Sequence, residues 1–301
     1  MKPFEVSVLT SDHLKAVLNH TKTIRCIYVP FELLKRGGNT ACLLAKIKEA
    51  GTRLYVALPY MTREEEGSVD FEDLLEVCQL ALHEQKEKSS SVNRTDPSVE
   101  GALVRNMEQL AFLAEQNFQG DMVLDSQIYI WNAAALKELL ADELIAKKMR
   151  GYTLPLEQNV HEWKDTVCAT DDTVQPFIII YGRIPMMISA GCVQQTMKGC
   201  SGHKGKFETI HIEMEDRTGR KLPVECSCRY CYNVIRNAYP ISLHQAFFSG
   251  KLPEQASCRL DFTTETQVEV NDILAFFGKE SENSQPPYES YTTGRFQKGV
   301  D

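Results

Sequence analysis

Five of the chain's 10 cysteines lie between positions 192 and 231: Cys192, Cys200, Cys226, Cys228 and Cys231. Thiolates ligate soft and borderline metals, and four of them close a tetrahedral zinc site or hold an iron–sulfur cluster. Cys228 and Cys231 form a CxxC pair, whose short loop lets both sulfurs reach one metal. Five thiols for four positions leave the set open. Cys226 and Cys228 share a face if their segment is extended. The plainer alternative is a group of buried free thiols. Cys26, Cys42, Cys78 and Cys168 stand singly among apolar residues and read as small buried hydrophobes. Cys258 sits apart, before a predicted strand.

Between Cys192 and the expected hairpin runs a basic, glycine-rich stretch, MKGCSGHKGK (197–206). It carries Lys198, His203, Lys204 and Lys206 and no acid. Such a loop suits an anionic substrate or an RNA phosphate, or else is a solvated surface loop. Polar residues that leave predicted strands are the other candidates: Asp125, Gln127, Asn132, Glu157, Arg183, Asp261 and Glu265. Asp125, Glu157 and Arg183 are taken as catalytic candidates. Lys198, Lys204, Asn132 and Glu265 are taken as substrate-binding ones. Arg183 leads, because an arginine leaving a deeply apolar strand needs an anionic partner. No HExxH, GxSxG or P-loop motif is present. A Cys–His peptidase stays open, because its partners are distant in sequence.

The elements that must position these residues alternate. FEVSVL (4–9), IRCIYVP (24–30) and TRLYVALPY (52–60) read as strands. Helical spacing follows each, at Leu14, Val17 and Leu18 behind a Ser11–Asp12 cap, at Leu43, Leu44 and Ile47, and at 71–82. The polar run 84–97 reads as a surface loop or disordered insertion. Then come a helix at 107–113, a strand at 121–126, a helix at 133–144 and a strand at 151–157 leading to another helix. The most apolar strand is PFIIIYGRIPMM (176–187), and RLDF (259–262) is the last. Seven or eight strand–helix units in this length predict a TIM-barrel-like (β/α)8 fold of the α/β class. No GxGxxG follows the first strand, which argues against a dinucleotide-binding sheet. The predicted organisation is one barrel over 1–301, with a cysteine-bearing β-hairpin insertion over 188–258 that turns at 216–219.

Composition sets outer bounds. The 301 residues are 43% hydrophobic and 25% charged, ordinary for a globular chain able to bury a large core. A net charge of -8 disfavours a general nucleic-acid coat. No run of about 18 apolar residues exists to span a membrane. The opening segment has no apolar signal core, so a reducing, cytoplasmic setting is expected, in which clustered cysteines serve metal or redox chemistry.

Several stretches together resemble peptidase family U32, the collagenase-like proteins. They are YGRIPMMISAGC (181–192), KGC (198–200), DRTGRKLPV (216–224), CRYCYNVIRN (228–237), RLDFTTE (259–265) and TTGRFQKGV (292–300). The opening FEVSVLTSDHLKAVLN (4–19) is similar to that family's first strand and helix. The likeness spans nearly the whole chain and is strongest from Tyr181 onward. The MISA before Cys192 resembles a branch common in anaerobic firmicutes, where a similar unit also forms the second half of a longer protein. The resemblance implies a TIM-barrel-like fold with an oxygen-sensitive 4Fe-4S cluster. It implies either oxygen-independent hydroxylation, of RNA or of a small molecule with prephenate as oxygen donor, or the proteolysis in the family name. Cys192 and Cys200 carry over as the first two ligands. Cys228 and Cys231 are assigned as the others, with Cys226 in reserve, because a cysteine that the hydroxylating relatives carry further downstream is Ile241 here. Zinc is the alternative metal. A non-catalytic barrel that needs a second U32-type domain or subunit is the third reading.

Overall fold

The computed structural model describes residues 3–36, 39–62, 99–170, 173–279 and 285–299. Cys78, the helix expected at 71–82 and the polar run 84–97 lie outside the described residues. Eight parallel strands close into a barrel: β1 (Phe4–Ser7), β2 (Ile24–Pro30), β3 (Arg53–Ala57), β4 (Gly101–Val104), β5 (Asp121–Leu124), β6 (Met149–Thr153), β7 (Gln175–Gly182) and β13 (Ser257–Asp261). The ring closes because β7 pairs β6 through its first residues and β13 through its later ones, while β13 also pairs β1. Helices α1 (Ser11–Leu18), α2 (Phe31–Arg36) and α3 (Asn39–Glu49) connect the first strands. Helices α4 (Met107–Glu115), α5 (Ala133–Leu140), α6 (Glu143–Ala146) and α7 (Val160–Cys168) connect the later ones.

Local signals place most of these elements. Thr10, one residue before the expected Ser11–Asp12 cap, accepts from the His13 amide. Asn159 and Glu162 form a reciprocal capping box on α7. The helix expected at 133–144 is broken in two, because Asp142 accepts from the Leu144 and Ile145 amides and starts α6. The run 176–187 also divides. Gly182 has φ of 148° and packs against Asp261 so closely that a Cβ would collide with its backbone oxygen. The chain turns there into β8 (Pro185–Ser189), which leaves the barrel.

β8 opens a second, antiparallel sheet in the order β8, β11 (Tyr232–Arg236), β10 (Lys221–Ser227), β9 (Thr209–Glu215). A short helix, α8 (Val193–Lys198), connects β8 to β9. The expected hairpin is therefore half of a four-stranded antiparallel sheet, in which β9, β10 and β11 form a meander and β8 lies beside β11. The chain then returns through β12 (Ile241–Ser242), α9 (His244–Phe248), β13 and α10 (Gln267–Phe277).

Along each barrel strand alternate residues face inward. The inner cluster is Cys26, Tyr28, Tyr55, Ala57, Leu103, Val123 and Phe177. Room for Phe177 depends on Gly151, where a Cβ would collide with the phenyl ring. Charged residues fill the rest of the lumen. Glu5 is fully buried and receives Arg150 Nη2 at 2.8 Å and the Tyr28 hydroxyl. At the C-terminal end Arg259, 1% exposed, donates to Asp125 Oδ1 at 2.7 Å, Asp261 Oδ1 at 2.8 Å and Thr153 Oγ1 at 3.1 Å. Arg105 donates to the other Asp125 oxygen at 3.1 Å.

Removing one member of such a network strands the others. Arg259→Met leaves Asp125 and Asp261 buried with one cation fewer. We expect it to cost about 3–5 kcal/mol, read as a lower urea midpoint, against under about 1 kcal/mol for removing the exposed Lys15–Asp12 pair.

Candidate active site

The C-terminal mouth of the barrel lies under the meander. Thr209, His211, Glu225, Ser227, Tyr232 and Val234 share one face of that sheet, by the register of β9, β10 and β11. With Glu32, Arg36, Tyr60 and Arg105 from the barrel, they enclose a cavity of about 210 Å³. The sheet is clamped from both sides. The Tyr60 amide donates to the Tyr232 hydroxyl at 3.1 Å, and Ser227 Oγ donates to Glu32 Oε1 at 3.1 Å. Arg36 Nε donates to the Phe207 carbonyl at 2.7 Å. Arg236 and Glu225 form a bidentate pair, and Arg236 also donates to the Arg183 carbonyl at 3.0 Å.

The electrostatics of the mouth are divided. Burial alone would raise the Asp125 carboxyl, but Arg259 and Arg105 override it and hold the group below its ordinary pKa. Burial raises Asp261 despite Arg259. Burial also raises Glu32, only partly offset by its hydrogen bonds. The mouth thus combines an ionised carboxylate, a carboxyl biased towards its protonated form, and the cations Arg36 and Arg105. Arg105 lies 4.0 Å over the Tyr60 ring, one face of which is thereby used.

The cysteines occupy the opposite face of the same sheet. Cys226 pairs in register with Ile210 and Asn233 and alternates with Glu225 and Ser227. Asn233 holds the start of α8 against that face, accepting from the Val193 amide at 3.2 Å and donating to the Gly191 carbonyl. This sets Cys192, the residue before α8, beside Cys226, whose thiol is raised by burial and by Cys192. The loop after α8 packs on the β10–β11 turn through Gly205 N to Cys228 O at 2.8 Å and Cys228 N to Glu208 O at 2.9 Å. Cys228 is pushed up to about 12, first by burial, then by Cys192, Glu208, Cys226 and Cys200. Cys231 sits in that turn with φ of 51°, its thiol towards the Cys228 carbonyl at 3.8 Å.

The fold therefore gathers Cys192, Cys200, Cys226 and Cys228 within electrostatic reach, with Cys231 at the adjoining turn. Cys200 is exposed. Thiols brought together in this way are a donor set that a bound cation would stabilise as thiolates. In chemistry the set fits a soft metal or an iron–sulfur centre. Among the described residues no three His, Cys, Asp or Glu side chains converge closely enough to hold a metal as they stand.

The other expected residues separate. Asp125 is at the mouth. Glu157 receives the Tyr129 hydroxyl at 3.3 Å and lines a different hollow of about 200 Å³ with Met186 and Met187. Asn132 caps α5 by accepting from the Ala135 amide at 2.9 Å, so its side chain already has a structural task. Lys198 and Lys204 are on the exposed loop side of the cysteine face. Arg183 and Glu265 face a third, outer cavity. Glu32, Arg36, Tyr60, Arg105, His211 and Tyr232 are mouth residues that sequence reading missed. Arg105 directly follows β4, as Asp125 follows β5, and Glu32 lies two residues beyond β2.

No family model matches the chain, and no curated protein does. Among solved structures it is similar to D-psicose 3-epimerase in the presence of D-fructose, at 14% identity, with a TM-score of 0.35 over 60% of this chain and 73% of that one. It is also similar to an uncharacterised B. cereus protein, at 8% identity and a TM-score of 0.33 over 90% of this chain and 64% of that one. The eight-stranded parallel barrel rests on the strand pairings themselves. Among the described residues no helix is long and apolar enough to cross a membrane.

The Glu32 carboxyl gives a pH test with a definite sign. Its pKa is raised on folding, so its contribution is fully present below the unfolded-state pKa and is lost as pH rises through the folded value. Glu32→Gln keeps the shape and removes the ionisation. Urea midpoints should show the variant gaining on the wild type between pH 5 and pH 8. Equal pH slopes for the two proteins would contradict the assignment.

Proposed function

We propose that the chain is an oxygen-independent modifying enzyme of the U32 type, acting in a reducing, cytoplasmic setting through a cysteine-held 4Fe-4S cluster. The observation that carries this reading is the placement of the cysteines. They gather on one face of the sheet whose other face roofs the barrel mouth, the end at which TIM-barrel active sites lie. Cys192, Cys200, Cys228 and Cys231 are the proposed ligands, with Cys226 in reserve. The cluster would supply electron transfer or a Lewis-acidic iron.

The chain's own residues do the rest. Arg36 and Arg105 attract and orient a small anionic substrate, a carboxylate such as prephenate among them. Glu32 offers a proton at Oε1 or Oε2. Tyr232 and Tyr60 wall the cavity and limit water. A mouth of about 210 Å³ suits a small molecule or one extruded base more than a polypeptide strand. That size ranks hydroxylation, of RNA or of a small molecule, above collagenase-like proteolysis. Lys198 and Lys204 would meet RNA phosphate, and a second U32-type domain or subunit would complete the site.

Anaerobic purification with an absorption spectrum and iron, sulfide and zinc analysis tests the proposal. We expect a broad visible charge-transfer band with iron and sulfide, lost in Cys192→Ala and Cys228→Ala. Stoichiometric zinc without iron would overturn the redox mechanism and send the work to peptidase assays.

A further inference from the structure

The outer cavity belongs neither to the barrel mouth nor to the cysteine face. It measures about 1180 Å³ and lies between the end of β7, the turn before β12, helices α9 and α10, and the segment 285–291. Its walls combine open aromatic rings with polar atoms that have no hydrogen-bond partner among the described residues. Tyr239 and Tyr291 are 44% and 37% exposed. The Tyr291 ring stands edge-on to His244, with centroids 5.0 Å apart.

Two polar side chains point to a ligand. Arg183 spends Nε on Thr264 Oγ1 at 2.8 Å and Nη1 on the Ala238 carbonyl. Its Nη2 has no hydrogen-bond partner among the described residues. His244 is a buried residue at 6% exposure, and burial lowers its pKa, which keeps the ring neutral. Its Nδ1 meets Ser242 Oγ at 2.8 Å, and that oxygen meets the Tyr288 hydroxyl at 2.5 Å. Tyr288 is raised to about 12, first by burial, and so keeps its proton. With Nδ1 engaged by Ser242, Nε2 is the His244 ring nitrogen left to hydrogen-bond a ligand. Acceptors stand opposite. Glu269 caps α10 with Oε2 and leaves Oε1 open, and Glu265 is held by the Tyr181 hydroxyl at 3.0 Å.

Charge selects the ligand class. An anion such as a nucleotide phosphate would meet Glu265, Glu269 and Glu289. A neutral planar molecule with donors and acceptors on its edge avoids that penalty, gains stacking on tyrosine and can use Arg183 as a donor, which a cation cannot. We propose that this cavity binds an uncharged heterocycle of nucleoside size, stacked on Tyr291 and hydrogen-bonded by Arg183 and His244.

Calorimetric titration of the full chain with adenosine and uridine tests this, alongside their 5′-monophosphates, a short single-stranded oligonucleotide and choline. The expected result is nucleoside binding that exceeds monophosphate and choline binding by about tenfold. Tyr291→Ala should weaken it by about tenfold, and Tyr239→Ala should weaken it less. Both tyrosines are partly exposed, so unchanged melting curves confirm that the variants fold. The proposal is overturned if neither nucleoside binds, if the monophosphates, the oligonucleotide or choline bind as tightly, or if Tyr291→Ala leaves affinity unchanged. None of these readouts depends on metal content, so the outcome is separate from that of the cluster proposal.

Discussion

A fully buried arginine organises the functional end of this barrel. Arg259 reaches from the last strand to Asp125 on the fifth and Thr153 on the sixth, and its plane lies 5.6 Å from the Tyr28 ring centroid. Burying a guanidinium is costly, so it persists only where its donors find charged or polar acceptors. Asp125 supplies one such acceptor and is shared with Arg105, which in turn donates to the Leu58 carbonyl at 2.9 Å. Through this chain the third, fourth, fifth, sixth and last strands fix one another at the level where the mouth begins. The side chains that line the mouth are therefore set by the barrel's own charge balance. Any cofactor comes after that.

The meander extends the same logic above the barrel. Its inward face is polar and clamped by Ser227, Tyr232 and the Arg236–Glu225 pair. Its outward face carries the thiols and is held by Asn233. One strand, β10, contributes to both faces, with Glu225 and Ser227 inward and Cys226 outward. A change in redox or metal state on one face would act on the mouth through a single layer of backbone. The outer cavity is built largely from other elements, and it is linked to the mouth through Arg183, whose carbonyl receives Arg236, and through His13, which bonds Leu9 and Glu265.

Much of this was legible in the sequence. The strand at 24–30 is found as read, and the alternation of apolar strands with helices led to the barrel. β4 was missed because four residues, GALV, are too short to show a period. The run 176–187 looked like one strand because apolar character continues across Gly182, and only the close approach of Asp261 reveals the turn. That the cysteines of 192–231 belong together was legible from their clustering. Which face they occupy was not, because that depends on the pairing register of β9, β10 and β11. Arg183 was singled out as an arginine that needs an anionic partner, and in the structure Glu265 lies 4.0 Å away. The pair faces the outer cavity because β7 has by then left the barrel wall. Glu32 and Arg105 carried only the weak signal of following a strand, and tertiary closure gives them their meaning.

The central claim is that the thiols on the outer face of the meander form a metal centre serving the mouth beneath it. Anomalous diffraction at the iron edge, from crystals grown without oxygen, addresses it directly. The account predicts an iron peak enclosed by Cys192, Cys200 and the 226–231 turn. A peak elsewhere in the molecule, or none from protein shown to be fully active, would contradict it.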